Sequence, residues 1–210
     1  MARLLYQGHG SYRLESKAGT VVYVDPYMDP EGPRKTSTYQ EPADLILITH
    51  QHFDHTAYDL PAKKPNCAIW ENYDLHPKRG EYLTKTFKDI RVEATVAVNV
   101  NHPIDECVGY LIWMDDVLIY GAGDTSETRQ MTLTLKNLPI DYALLPADGI
   151  YNMDVKAAAH CAEIIGARHT IPIHLKPVEP FGEKQAQEFA ALAPSALIVH
   201  PGDELELVHA

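Results

Sequence analysis

Residues 46–57, ILITHQHFDHTA, place His50, His52, Asp54 and His55 within six positions. Imidazole nitrogens and carboxylate oxygens are the donors that hold zinc and related divalent ions. Residues two apart in an extended segment point the same way, so His50 and His52 are able to share one cation. Asp54 and His55 follow after a turn and are placed to reach a second cation nearby. The plainer alternative is a solvated loop that is rich in histidine. Against it stands the preceding run, ADLILIT, which is apolar throughout, as in a strand buried on both faces. Open sheets with parallel strands bind their ligands at the C-terminal ends of such strands.

The rest of the chain supplies what a two-ion site still lacks. His102, in NVNHPID, offers a third imidazole for the first ion. Asp124, in GAGDT, has two oxygens with which to bridge both ions, and His174, in IPIH, can complete the second ion beside Asp54 and His55. Three imidazoles and an open position on zinc lower the pKa of a bound water to roughly 7 and so create a nucleophile. His76, His160 and His169 compete with His102 for the third place. His160 falls within a helix, His76 in a loop rich in Pro and Lys, and His169 precedes a strand, so all three rank lower. Asp25, in VDPY, ends an apolar run and is expected to orient a ligand histidine; His9, in GHGS, is a further candidate near the site. Tyr151, Asn152 and Lys176 lie at motif ends and are candidate pocket residues.

These residues need a frame. ARLLYQGHG, SYRLES and TVVYVDP read as strands, and EGPRKTSTYQEP reads as a loop. RVEATVAVNVNHP alternates, with Val92, Ala94, Val96, Val98 and Val100 on one face, and a continued strand would put His102 on that face. GYLIWM and VLIYGAGD form a hairpin about Asp115 and Asp116, and DYALLP is another buried strand. MDVKAAAHCAEIIGA is a helix with Asp154 as N-cap and Gly166 as its stop. HTIPIH is a strand ending at His174, EKQAQEFAALA a helix, and ALIVHPGDELELV two closing strands. Ligand-type residues thus follow apolar strands at 50, 124 and 174. The expected fold class is α/β, a four-layer αββα sandwich with sheets inside and helices outside.

Bulk properties set limits. The 210 residues fit a single domain spanning 1–210, and 45% apolar content allows a sizeable core. The net charge of −11 argues against nucleic acid as a partner, while leaving room for a small, even anionic, substrate at a bound metal. Cys67, Cys107 and Cys161 form no CxxC and signal neither a disulfide framework nor a thiolate metal site. No apolar run reaches the roughly 18 residues of a membrane span and the first residues do not read as a signal peptide, so a cytoplasmic protein is expected. His160 and Cys161 are adjacent on a helix and point apart, so they form no nucleophile–base pair.

THQHFDH matches the HxHxDH signature of the metallo-β-lactamase superfamily, and GAGDT and IPIH resemble its bridging-aspartate and last-histidine motifs. More narrowly, GHGSYRLES, VVYVDPY, ADLILITHQHFDH, DYALLPADGIYNMD and IPIHLKP resemble a group of short, lactonase-like metal-dependent hydrolases related to L-ascorbate-6-phosphate lactonase. The resemblance runs from about residue 3 to 208. It implies a first metal on His50, His52 and His102, a second on Asp54, His55 and His174, and Asp124 between them. It implies two divalent ions, zinc first, with manganese or iron as alternatives. The implied reaction is attack by a hydroxide held between the ions on a small ester, lactone or phosphorylated sugar derivative, with Asp54 steering as well as binding. It also implies that Asp25 supports the histidine loop. Asp148 stands where that group often has glycine, which changes the charge beside the pocket. The rival readings are a phosphodiesterase or nuclease of the same fold and a non-catalytic metal-binding protein. Nothing fixes the oligomeric state, although edge strands of such sandwiches can pair between subunits.

Overall fold

The structure is a computed structural model that describes residues 1–27, 38–177, 179 and 181–209. Most of the expected loop EGPRKTSTYQEP, up to residue 37, lies outside the described residues. Two six-stranded sheets face each other. The first runs in the order β12-β1-β2-β3-β4-β5 and the second β11-β10-β9-β8-β7-β6. In the first, β1 (Arg3–Gly8), β2 (Ser11–Glu15) and β3 (Val21–Val24) are antiparallel, and β4 (Ala43–Leu47) and β5 (Lys63–Trp70) continue from β3 in parallel. In the second, β6 (Thr84–Phe87), β7 (Ile90–Val96), β8 (Val108–Met114) and β9 (Val117–Gly121) are antiparallel, and β10 (Tyr142–Pro146) and β11 (His169–Ile173) are parallel to β9.

The period of two along each strand sorts side chains into layers. Leu45 and Leu47 enter the core between the sheets, whereas Ile46 and Ile48 face outward, against Tyr23 and Tyr39. On the second sheet Ile119 and Leu144 enter the same central core, while Leu118, Tyr120, Ala143 and Leu145 meet the helices. Those helices are α3 (Val155–Ile165) and α4 (Glu183–Leu192), with the short α2 (Arg129–Leu133) beside α3. The cap of α3 is as expected: Asp154 accepts from the Ala157 N–H at 2.8 Å, and Gly166 closes the helix at φ 66°. Over the first sheet the cover is thinner, and Tyr39, Tyr58 and Leu60 from the connections do the packing. The αββα sandwich is therefore the observed architecture.

Three expectations are corrected. The strand through Arg91 stops at Val96 and does not run on to His102. Side chains take over the donors there: Gln130 accepts from the Val96 N–H and Thr125 from the Val98 N–H, and Val100 stands in solvent. His102 reaches the site on a loop. The closing segment holds one three-residue strand, β12 (Glu204–Glu206), and Ala196 makes only a single bridge to Thr170. Finally, β5 and β6 were not anticipated, because their exposed Lys and Thr positions mask the alternation.

Nearly every parallel strand delivers a polar residue to one rim of the sandwich. Asp25 follows β3, His50 to His55 follow β4, Asp124 follows β9, Asp148 follows β10 and His174 follows β11. After β5 the chain enters α1 (Asn72–Leu75), where Asn72 accepts from Gln51 and donates to the Glu106 carbonyl. That side chain braces both the histidine segment and the loop carrying His102.

The two sheets come into tight contact at Gly121, where a methyl group would collide with the Tyr12 hydroxyl, itself buried without a hydrogen-bond partner. Gly121→Ala is expected to destabilise the protein by ~2 kcal/mol through overpacking. Adding Tyr12→Phe should recover most of that loss, read as a coupling energy in urea unfolding. Strict additivity of the two changes would refute this account of the contact.

Candidate metal centre

The rim gathers side chains that are costly to bury together. His50, His55, His102, His174 and Asp124 are all nearly inaccessible, Asp54 is half-buried and His52 is exposed. Donor atoms of His50, His52 and His102 lie within 4.8 Å of one another, as do those of Asp54, His55 and His174 together with His9. Asp124 stands between the groups. Its Oδ2 is 3.3 Å from His102 Nε2 and 3.4 Å from His174 Nε2, and its Oδ1 is 3.6 Å from His55 Nε2.

The outer hydrogen bonds fix which nitrogen of each ring faces inward. Asp25 accepts from the Thr49 N–H at 2.7 Å, from the Thr49 hydroxyl at 2.6 Å and from His55 Nδ1 at 2.9 Å. The Thr49 hydroxyl has only one proton and gives it to Asp25. The contact of Thr49 with His50 Nδ1, at 3.0 Å, must therefore run from the ring to the oxygen. His102 Nδ1 donates to Asn99 Oδ1 at 2.9 Å. His174 Nδ1 lies 3.1 Å from Asp148 Oδ2, close enough for an ion pair although poorly aligned for a hydrogen bond. In His50, His55 and His102 Nδ1 is the donor, and the Nε2 atoms of His55, His102 and His174 lie beside Asp124. The Nε2 atoms of His50, His55 and His174 are buried and make no hydrogen bond within the protein. Buried polar atoms are rarely left so, and converging imidazole lone pairs beside a carboxylate are the arrangement a divalent cation satisfies. The residues fit a metal.

Asn152 ties the two sides together. Its amide donates to Asp124 at 2.8 Å and to Asp148 at 2.9 Å, and its oxygen accepts from Asn99. Asp148 also accepts from the backbone of Ile150 and Tyr151. The carboxylate beside the pocket is thus spent on holding a turn and His174. His9 Nε2 donates to Asp54 at 2.9 Å, and the His9 carbonyl accepts from the His174 N–H and the Tyr6 hydroxyl. His9, Asp25 and His174 all have φ near +50°, a left-handed conformation that costs a residue with a Cβ about 1–3 kcal/mol. Gly10 keeps His55 in place by its smallness, since a Cβ there would lie 2.9 Å from the His55 ring.

Charge follows from this packing. Burial opposes ionisation of Asp124, but His174, His55, His50 and His102 outweigh it and hold the carboxyl well below its usual range. Burial also works against the Asp54 charge, and the bond from His9 prevails, again lowering its pKa. Burial lowers the pKa of His55, yet Asp124 and Asp25 push it up to about 10. Burial dominates at His9, bringing it down to about 4, and drives His50 well below its ordinary value.

A cavity of about 390 Å³ opens onto the site, lined by His52, Asp54, His102, Asp124 and His174 and also by Phe53, Asn101, Tyr151 and Pro177. Tyr151 stands where a pocket residue was expected. Lys176 is not among the lining residues, and its ammonium is held by Glu179 at 2.7 Å. The competing histidines lie elsewhere. His76 is locked between the Glu81 and Ile104 carbonyls, His160 is exposed on α3, and His169 stacks on Tyr142. Sequence reasoning passed over Thr49, Phe53, Asn99 and Asn101. The spacing of Asn99 to His102 is the one signal that could have found a partner for that ring.

Two facing mixed sheets with such donors at the ends of their parallel strands define a metallo-β-lactamase fold. Residues 3–174 match the model of the beta-lactamase superfamily domain. The chain belongs to that family and, within it, to the UPF0173 metal-dependent hydrolases. It is 32% identical over 206 residues to the UPF0173 protein of Methanoregula boonei, covering 89% of this chain and 90% of that one. It is 29% identical over 233 residues to that of Pyrococcus furiosus, covering 99% and 100%. Among solved structures it resembles Igni18, a metallo hydrolase of Ignicoccus hospitalis, with TM-score 0.76, 21% identity and 97% of both chains covered. It also resembles an isothiocyanate hydrolase from Delia radicum gut bacteria, with TM-score 0.71, 15% identity, and 99% and 100% covered. At these identities the two likenesses concern the fold alone.

Asp25 generates the first prediction here. Asp25→Ala leaves the buried Thr49 N–H and the His55 ring without their acceptor and is expected to cost ~3 kcal/mol in the metal-free protein. Urea unfolding reads it, and a loss under ~1 kcal/mol would mean that the loop does not depend on this carboxylate.

Proposed function

We propose that the protein is a hydrolase that works with two divalent ions and cleaves a small ester or lactone. His50, His52 and His102 hold one ion, Asp54, His55 and His174 hold the other, and Asp124 lies between them. The observation that carries this reading is the set of buried Nε2 atoms that make no hydrogen bond, those of His55 and His174 facing one shared carboxylate. Zinc suits a donor set of imidazoles and carboxylates, and manganese and iron are the alternatives that the same donors accept. Bound divalent ions supply Lewis acidity toward an acyl oxygen and lower the pKa of water into the neutral range.

The remaining work falls to the protein. Asp25, Thr49, Asn99 and Asp148 hold the imidazoles in the tautomer that presents Nε2. Asp54, kept ionised and oriented by His9, faces the cavity as a hydrogen-bond acceptor that can steer a water as well as bind metal. Asn152 keeps Asp124 and Asp148 at fixed separation. No serine or cysteine nucleophile is required, and Cys107 and Cys161 are buried with their thiols pushed up to about 12.

Elemental analysis of purified protein is expected to give about two equivalents of zinc or manganese, falling in both His52→Ala and His174→Ala. Hydrolysis of model esters and lactones should drop by about 100-fold or more in either variant. Protein that takes up no metal on incubation would sink the reading, and metal without any hydrolysis would leave a metal-binding protein.

Binding should also release protons. A ligand imidazole must be neutral, whereas His55 in the metal-free protein has its pKa pushed up to about 10 and carries a proton at pH 8. Zinc titration calorimetry in two buffers of different ionisation enthalpy should show about one proton expelled from His55. Apparent affinity should strengthen as pH rises toward 10, and His55→Ala should weaken that dependence, the remainder belonging to His174, whose pKa Asp124 and Asp148 also raise. Equal heats in both buffers would remove His55 from the ligand set.

A further inference from the structure

The cavity walls carry a second message. Among the described residues no Lys or Arg lines it, and its only formal charges outside the imidazoles are the carboxylates of Asp54 and Asp124. Lys176, the nearest cation in sequence, is neutralised by Glu179. The non-ligand lining is Phe53, Asn101, Tyr151 and Pro177. Phe53 is 84% exposed and Tyr151 49%; Ile150, beside Tyr151, is 64% exposed and Val100, beside Asn101, 96%. Ten large apolar side chains are exposed among the described residues, and four of them stand on the three loops around this mouth. Exposed apolar groups gathered at the entrance of a polar site mark a binding surface. The Asn101 amide donates to the Tyr151 carbonyl at 3.0 Å, so two of these loops are fastened together and the rim is held in one shape.

We infer that the site takes an uncharged substrate bearing an aryl or similarly large apolar group, which packs on Phe53 and Tyr151, and not a phosphorylated sugar derivative. This rests on the hydrolase reading for the chemistry but on the rim for the selectivity. A phosphate carried away from the reacting carbonyl, out of reach of the ions, would find no lysine or arginine among the described lining residues to hold it. A ring laid on Phe53 and Tyr151 would instead cover surface that now faces water. In the reaction, water's oxygen bonds to the acyl carbon, the bond from that carbon to the leaving oxygen breaks, and the leaving oxygen takes one of water's protons; an ester gives a carboxylic acid and an alcohol, a lactone a single hydroxy acid. No oxidant or further reactant is needed.

The test has a binding arm and a turnover arm. In the first, zinc-loaded and metal-free protein are titrated calorimetrically with 3-phenylpropanamide, a neutral aryl amide, and with acetamide. The aryl amide should bind more tightly than acetamide in both forms of the protein. Phe53→Ala and Tyr151→Ala should each weaken it by about three- to tenfold, with metal content at the wild-type level. In the second arm, dihydrocoumarin should be hydrolysed with at least about tenfold higher kcat/KM than 6-phosphogluconolactone, and both variants should raise KM for dihydrocoumarin. Aryl amide binding that the variants leave unchanged would overturn the inference, as would preference for the phosphorylated lactone. A change in sedimentation of Phe53→Ala without a change in aryl binding would also overturn it, making the rim a contact between protein molecules. If no metal is bound, or no lactone is turned over, the hydrolase reading fails while the binding arm still decides whether the rim recognises an apolar group.

Discussion

The carboxylate of Asp124 sits almost out of reach of water among imidazoles that come from both sheets. Burying an unpaired charge costs several kcal/mol, and this one is compensated because His55, His102 and His174 close on it from different elements and the Asn152 amide donates to it. The dependence runs both ways. Without Asp124, His55 loses the largest of the carboxylate interactions that favour its charge, leaving Asp25 and Asp54. The relative position of the two sheets at this rim is therefore set by electrostatics as well as by the packing of Leu45, Leu47, Ile119 and Leu144 beneath it.

Around that carboxylate, hydrogen bonds act as one-way connections. Asp25 can only accept, so Thr49 must donate to it, so His50 must donate to Thr49 and turn its lone pair inward. The same logic orients His55 through Asp25 and His102 through Asn99. A set of converging lone pairs is unfavourable in the absence of a cation, and the left-handed backbones of His9, Asp25 and His174 add to the cost. Such strain persists where the surroundings over-determine the conformation. Here His9 and His174 hold each other through a backbone bond, and Asp25 is clamped by three donors. Preorganisation of this kind means that the site does not have to be assembled by the ion it is shaped to take.

What was legible in the sequence and what was not divide along physical lines. The histidines after β4, Asp124 after β9 and His174 after β11 stood out because fully apolar strands leave only their ends free to carry polar groups. The same rule found Asp25 and the sandwich itself. His102 was legible as a residue type but not as a path, since the strand aimed at it yields at Val96 to the side chains of Gln130 and Thr125 from distant segments. β5 and β6 escaped notice because edge strands keep one face in solvent and lose their alternation. The Asn99–Asn152–Asp148 connections and the His9–His174 bond are tertiary. Asn99 and Asn152 are about 50 positions apart and His9 and His174 far more, so no local pattern encodes those two bonds.

The same division separates chemistry from selectivity. The donors stand on the ends of buried strands, whose positions are fixed by two cores and cannot shift without disturbing both. Phe53, Asn101 and Tyr151 stand on loops, in solvent, with few obligations to the interior. Substitution at the rim changes which groups the cavity accepts at little cost in stability, whereas substitution at Asp25 or Asn152 changes the donors themselves. A fold arranged in this way can keep one hydrolytic centre while its substrates vary. For that reason the apolar rim, more than the histidines that first draw the eye, is where the choice of substrate for this chain is written.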